Sequence, residues 1–263
     1  SPLTLTVGRQ EIKFGNGLVI GKSAPGFSYL PIAQIPSDLS KRNAFDAIRA
    51  TLNYDPLVVD LIYAKIQQTV TFRNNTAELL GINASYALNK KIDLSAYYFL
   101  KSDNYETLIG ESKGKADKVN TIGTLIAVRP IDGLVTSVEA AYQFGKNDNS
   151  NNASITKESD ASRHSAWAVQ AIADYTFAKL KMSPSIGGSY TYLSGGKVFG
   201  AERNNGWDPM FYSQKLNNIT YALLPFTNLS VFNVKGSIKP MEDVTLMFNY
   251  GYYDRGSSAT DRE

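Results

Sequence analysis

The chain has 263 residues, no cysteine, one histidine (His164), and 27 Lys and Arg against 24 Asp and Glu, a formal net charge of +3. This excludes a disulfide framework, a thiolate metal site, a cysteine nucleophile and a His-rich metal centre. No cofactor is expected, and the near-balanced charge does not suggest a nucleic-acid partner. Hydrophobic residues are 43% of the sequence, too many for a disordered chain, yet no apolar run approaches the roughly 20 residues of a membrane helix. Sixteen Tyr and twelve Phe accompany no obvious catalytic set.

In chain order, the pattern is period 2 throughout, with no long stretch of period 3.6. Strands are predicted at about 3–14, 44–54, 57–68, 78–89, 91–102, 118–129, 133–146, 164–178, 180–193, 228–239 and 243–254. Leu80, Ile82, Ala84, Tyr86 and Leu88 alternate with Gly81, Asn83, Ser85, Ala87 and Asn89. Val138, Ala140, Tyr142 and Phe144 oppose Ser137, Glu139, Gln143 and Gly145, and Val244, Leu246, Phe248, Tyr250 and Tyr252 oppose Thr245, Asn249 and Gly251. Successive strand side chains point to opposite faces, so each segment has one apolar and one polar face. The strands are longer than the usual globular length of about 5–6 residues and match the tilted spans that cross a bilayer.

The connections alternate between short and long. Short ones are Asn53-Tyr54-Asp55-Pro56, Asn89-Lys90-Lys91, Pro130-Ile131-Asp132-Gly133, Ala178-Lys179 and Pro240-Met241-Glu242-Asp243; long ones cover 69–76, 102–117, 147–163 and 194–227. Outer-membrane barrels have short periplasmic turns and long extracellular loops. The apolar faces carry almost no charge, with Lys65 and Asp46 the exceptions, and aromatic residues collect at strand ends. The fold expected is therefore all-β: a transmembrane antiparallel up-and-down β-barrel of the bacterial outer membrane, formed by one domain over 1–263. Eleven strands is an odd number, whereas bacterial barrels close with an even one. The chain is thus expected to be incomplete at both ends and to contribute to a larger barrel.

Val7-Gly8-Arg9-Gln10-Glu11-Ile12-Lys13-Phe14-Gly15-Asn16-Gly17-Leu18-Val19-Ile20-Gly21 resembles the Gly-Arg-Gln strand and loop of the bacterial alginate-export porin family. Asn43-Ala44-Phe45-Asp46-Ala47-Ile48-Arg49-Ala50 resembles that family's following strand, and Val59-Asp60-Leu61-Ile62-Tyr63-Ala64-Lys65 the one after it. The stretch Asn228 to Tyr253 is more loosely similar to a late strand pair. The resemblance implies a barrel of about eighteen strands that passes an acidic polysaccharide through a basic pore.

A pore needs a wet lumen, a constriction and a suitable field, not a nucleophile. Period 2 assigns Arg49, Lys101, Arg129, Lys181, Lys235 and Lys239 to the lumen, with the carboxylates Asp60, Asp93, Glu139 and Asp174. Arg9 and Arg49 hold matching motif positions and are the first candidates for an anion-attracting wall. The apolar parity slips near Gly8-Arg9, which suggests a bulge and leaves the facing of Arg9 open. Cross-strand pairing with Asp60, Asp93 or Glu139 is the competing role for these cations. The longest loop, 194–227, carries Arg203, Trp207-Asp208-Pro209-Met210-Phe211-Tyr212 and Tyr221-Ala222-Leu223-Leu224-Pro225-Phe226. Loops of this length are usually functional, and this one is placed either inside the lumen or over its mouth.

The function expected is passage of polar or anionic solutes, acidic polysaccharide among them, with membrane lipid as surroundings and no enzymatic step. The alternative is a scaffolding barrel that houses a partner protein. A hydrolase is a weaker third reading, because no serine motif accompanies His164.

Overall fold

The computed structural model describes residues 2–21, 45–70, 73–107, 117–147, 162–195, 203–211 and 226–256. The strands are β1 (Leu3–Gln10), β2 (Phe45–Tyr54), β3 (Leu57–Val70), β4 (Arg73–Asn89), β5 (Ile92–Thr107), β6 (Asp117–Val128), β7 (Leu134–Asn147), β8 (Ser162–Thr176), β9 (Ser185–Leu193), β10 (Arg203–Asn204), β11 (Leu229–Met241) and β12 (Val244–Arg255). Eleven of them form one antiparallel meander in the order β1-β2-β3-β4-β5-β6-β7-β8-β9-β11-β12, while the two-residue β10 runs parallel to β8. The chain is all-β, with no helix among the described residues.

Register partners share a face, so the pairings fix which way every side chain points. On the outer face Leu80, Ile82, Ile122, Val138, Tyr142, Trp167, Phe232 and Phe248 are each more than a third exposed. These are the apolar positions of the alternation, and no second sheet covers them among the described residues. On the inner face Phe45, Ile62, Leu79, Phe99, Val119, Ala166, Leu193 and Val231 are buried. Two segments that leave the sheet and enter its concave side bury them. One is 11–21, which contributes Ile12, Phe14, Leu18, Val19 and Ile20; the other is 203–211, which contributes Trp207 and Phe211. They meet at a parallel bridge between Ile20 and Phe211, where the Phe211 N–H donates to Val19 O and the Gly21 N–H to Phe211 O.

Two glycines shape the inner wall. Gly81 stands opposite Phe99, and Gly123 opposite Tyr97. A Cβ at either position would overlap the ring lying across it. The rings cover the bare glycine backbone and stack on each other at 5.0 Å, and Phe14 stacks on Phe99 at 5.6 Å.

Three expectations need correction. The strand expected over 3–14 ends at Gln10, and β1 pairs with β2 in unbroken register. The parity slip marks the point where the chain leaves the sheet, not a bulge within it. Lys181 is not on a lumen-facing strand, because β9 begins only at Ser185 and Met182 and Ser183 take positive φ in a broad turn. The loop expected over 69–76 is mostly strand, since β3 and β4 pair as far as Val70 with Arg73.

Candidate functional site: the inner wall and its two inserted segments

The inner wall divides into two zones. Toward the long loops it is mostly apolar, with Lys101, Gln143 and His164 among the apolar residues, and is packed against the inserted segments. Toward the short turns it is polar, with Asn83, Ser85, Ser95, Gln170 and Thr191 joined by hydrogen bonds such as Gln170 Nε2 to Thr191 Oγ1 at 2.8 Å and Ser85 Oγ to Ser95 Oγ at 3.1 Å. Buried polar groups need such partners, and these positions alternate with the outward apolar ones.

The structure places Arg49, Lys101, Arg129 and Lys235 on this wall with Asp60, Asp93, Glu139 and Asp174. Each cation meets a carboxylate. Arg49 reaches Asp60 at 2.8 Å, and Thr51 Oγ1 donates to the same oxygen at 2.6 Å. Arg129 meets Asp93 at 2.7 Å. Lys235 meets Asp174 at 2.9 Å, across β9. Gly187 of β9 lies between them in the register, and a side chain there would collide with both. Lys101 pairs with Asp208 at 2.6 Å, a partner from the inserted loop. Arg49 also lies over the Phe14 ring, 5.7 Å from its centroid.

Arg9 is a correction. It stands on the outer face opposite Asp46, 72% exposed, and donates to that carboxylate at 2.9 Å. Its register position puts it in line with Val7 and Leu5, which face outward, so it cannot line the interior with Arg49. Lys239 lies at the short-turn end in the irregular stretch between Ile238 and Met241, its N–H bonded to Met182 O. Lys181 and Lys239 are both exposed at that rim.

The inserted segments are anchored by a few buried polar residues. Glu139, fully buried, accepts from the Asn16 N–H at 2.8 Å and the Tyr97 hydroxyl at 2.9 Å, and Asn16 Nδ2 donates to Ser137 Oγ at 3.1 Å. Gln143 grips the other segment with both ends of its amide. Its Nε2 donates to Asp208 O at 2.8 Å, and its Oε1 accepts from the Asp208 N–H at 2.9 Å. The same Oε1 meets His164 Nε2 at 3.1 Å. Ser194 Oγ accepts from the Trp167 N–H and donates to Asn205 O. Sequence reasoning missed Ser137, Gln143, Ser194 and Asp208. Their signal was polarity at inward positions and an acid among loop aromatics. Trp207, Met210 and Phe211 occupy the interior, so the described part of the longest loop folds inward; Tyr212 and 221–225 lie outside the described residues, as do the side chains of Arg203 and Asn204.

Burial works most strongly, to raise the Asp208 carboxyl, but the Lys101 ammonium, the Lys101 hydrogen bond, the Met210 N–H and the field of His164 together outweigh it, so the group sits below the ordinary aspartate value of 3.8. A lowered value stabilises the docked loop fully above the ordinary range and loses that contribution as pH falls through the lowered value. The expected result is that narrowing by 203–211 persists through neutral and mildly acidic pH and is lost only below 3.8. Single-channel recording against external pH checks this.

A meander of long antiparallel strands with a bare apolar outer face and a charged, hydrogen-bonded interior is the wall of an outer-membrane β-barrel channel. The sequence profile of the alginate export family matches residues 1–262, and the chain belongs to that family. It is a bacterial outer-membrane protein of the porin class, with membrane lipid on its outer face and solutes within. No curated protein sequence matches it. Among solved structures it is similar to the "CymD monoaromatic hydrocarbon channel", at 7% identity and a TM-score of 0.41 over 82% of this chain and 70% of that one. It is also similar to OccK3 (OpdO) of Pseudomonas aeruginosa, two structures of which align at 11% identity and a TM-score of 0.36 over 96% of this chain and 77% of theirs.

Proposed function

We propose that this chain conducts polar and anionic solutes, segments of acidic polysaccharide among them, through a lumen narrowed by 11–21 and 203–211. The observation that carries the reading is the pairing on the wall. Arg49, Arg129 and Lys235 alternate with Asp60, Asp93 and Asp174 along the polar zone, so a passing solute meets fixed dipoles and both signs of charge. Such a wall solvates hydroxyl-rich and charged solutes without trapping them. Its selectivity is set by the paired carboxylates as much as by the cations. Membership of the alginate export family supports the polysaccharide end of the range.

The test is the reversal potential in planar bilayers under a salt gradient. The parent channel is expected to show weak charge preference. Asp60→Asn, which leaves the Arg49 guanidinium without its counter-charge, should shift the reversal potential toward anions. A strongly cation-selective parent, or no shift in the variant, contradicts the reading.

A further inference from the structure

The outer face carries one row of charge, at the long-loop end. Following the register from β1 to β8, the row reads Arg9, Asp46, Lys65, Glu78, Ser102, Lys118, Lys146 and Arg163. Between this row and the short turns, no other charged residue stands on the outer face of β1–β9 or β11 among the described residues; on β12, Asp254 faces outward opposite Ser230. The first half of the row is self-compensated. Arg9 is bonded to Asp46, and Lys65 stands opposite Glu78. The second half is not. Lys118 is directly opposite Lys146, and Lys146 directly opposite Arg163, all exposed and with no carboxylate paired to them among the described residues. Neighbouring strands are about 4.8 Å apart, and like charges directly opposite one another are destabilising unless an anion sits between them.

What lies below this cluster says which anion. The next outward level holds Asn120, Phe144 and Ser165, and the level after it Ile122, Tyr142 and Trp167. The Tyr98 hydroxyl donates to Asn120 Oδ1 at 2.6 Å, and the Tyr142 hydroxyl meets Ser165 Oγ at 3.0 Å. Both ring tips therefore point toward the cluster, with their apolar bodies on the far side. That orientation marks the headgroup level of a membrane. Below the rings the same strands form an open groove of about 680 Å³ on the outer face, floored by the small side chains Ala84, Ala96, Thr124 and Ala140 and walled by Trp167 and Tyr142. Three cations at headgroup height stand over an apolar groove at acyl-chain height.

We propose that Lys118, Lys146 and Arg163 hold the phosphate of an outer-leaflet lipid whose acyl chain lies in the groove between β4 and β8. Arg163 supplies a planar fork matched to two phosphate oxygens, and the two lysines supply point charges. The proposal rests on the outer-membrane placement with the long loops outside, and it is independent of what the lumen conducts.

The test measures lipid bound to the purified full chain by native mass spectrometry, using a phosphorylated glycolipid of the outer leaflet, the same glycolipid with its phosphates removed, and inorganic phosphate alone. The parent should retain the phosphorylated glycolipid. Binding should fall on the order of a hundredfold when Lys118→Gln, Lys146→Gln and Arg163→Gln are combined. Arg9→Gln with Asp46→Asn, at the same height, should change nothing. Ala140→Trp, which fills the groove and keeps the charges, should also weaken binding. Unchanged channel conductance in the triple variant shows that the wall is folded and keeps this result separate from the solute reading. Equal binding of the dephosphorylated glycolipid, or no loss in the triple variant, overturns the proposal. Displacement of the glycolipid by inorganic phosphate at equal concentration would reveal a free-anion site and also overturn it.

Discussion

Asp208→Ala is expected to raise single-channel conductance several-fold and to destabilise the chain by about 3–5 kcal/mol, the usual effect of removing one partner from a buried ion pair. The side chains of Lys101 and Asp208 are only 13% and 10% exposed, so the lysine left behind has little water to turn to. Asp208 also receives the Met210 N–H on its own carboxylate at 2.8 Å, and its loss loosens the turn that brings Phe211 to the bridge with Ile20. The double variant Lys101→Ala with Asp208→Ala should lose less stability than Asp208→Ala alone, since the Lys101 ammonium is then no longer held in the interior without the Asp208 carboxylate. Conductance recordings and urea titrations of the two variants check both parts. A parent-like current in Asp208→Ala would show that 203–211 does not narrow the conduit.

Glu139→Ala should release the other inserted segment. The buried Tyr97 hydroxyl loses its acceptor, at about 1–3 kcal/mol, and the half-buried Asn16 N–H loses the same carboxylate at a smaller cost. Glu139→Gln keeps one acceptor oxygen, so its loss should be about half as large. The two segments touch where Phe211 bonds to Val19 and Gly21, and Phe211 packs edge-on against Phe45. Glu139→Ala and Asp208→Ala are therefore expected to be coupled by about 0.5–3 kcal/mol in a double-mutant cycle. Strict additivity would show that the segments sit in the lumen independently.

Period 2 and the spacing of turns made the meander legible, because each strand pairs with its neighbour and every facing follows from parity. The same parity placed Arg49, Lys101, Arg129 and Lys235 inside with their acids. It does not settle Arg9, because the slip from Val7 to Ile12, which suggests a bulge in the sequence, is the exit of the chain from the sheet. Ile12 and Phe14 are apolar because they fill the interior above Phe99, not because they face lipid. Parity also could not supply the partner of Lys101. Asp208 reaches it from a loop more than a hundred residues further along the chain, and no periodicity connects the two. The Lys235–Asp174 pair escaped for a related reason, since it spans a whole strand and depends on Gly187 having no side chain. Short-range pattern reveals the wall, whereas the contents of the wall depend on contacts that only the assembled sheet brings together.

The two inserted segments also have a consequence for assembly. Wall contacts join sequence neighbours, hairpin by hairpin, and such local contacts form early. The contacts that close the interior are distant: Asn16 and Glu139 lie 123 residues apart, and Gln143 and Asp208 lie 65 apart. The first waits for β7 to join the sheet, and the bridge from Ile20 to Phe211 waits for the chain beyond β9. A growing sheet thus presents an unobstructed, water-filled concavity while its strands are being laid down. The narrow state thus forms only once the chain beyond β9 has returned to the segment that follows β1.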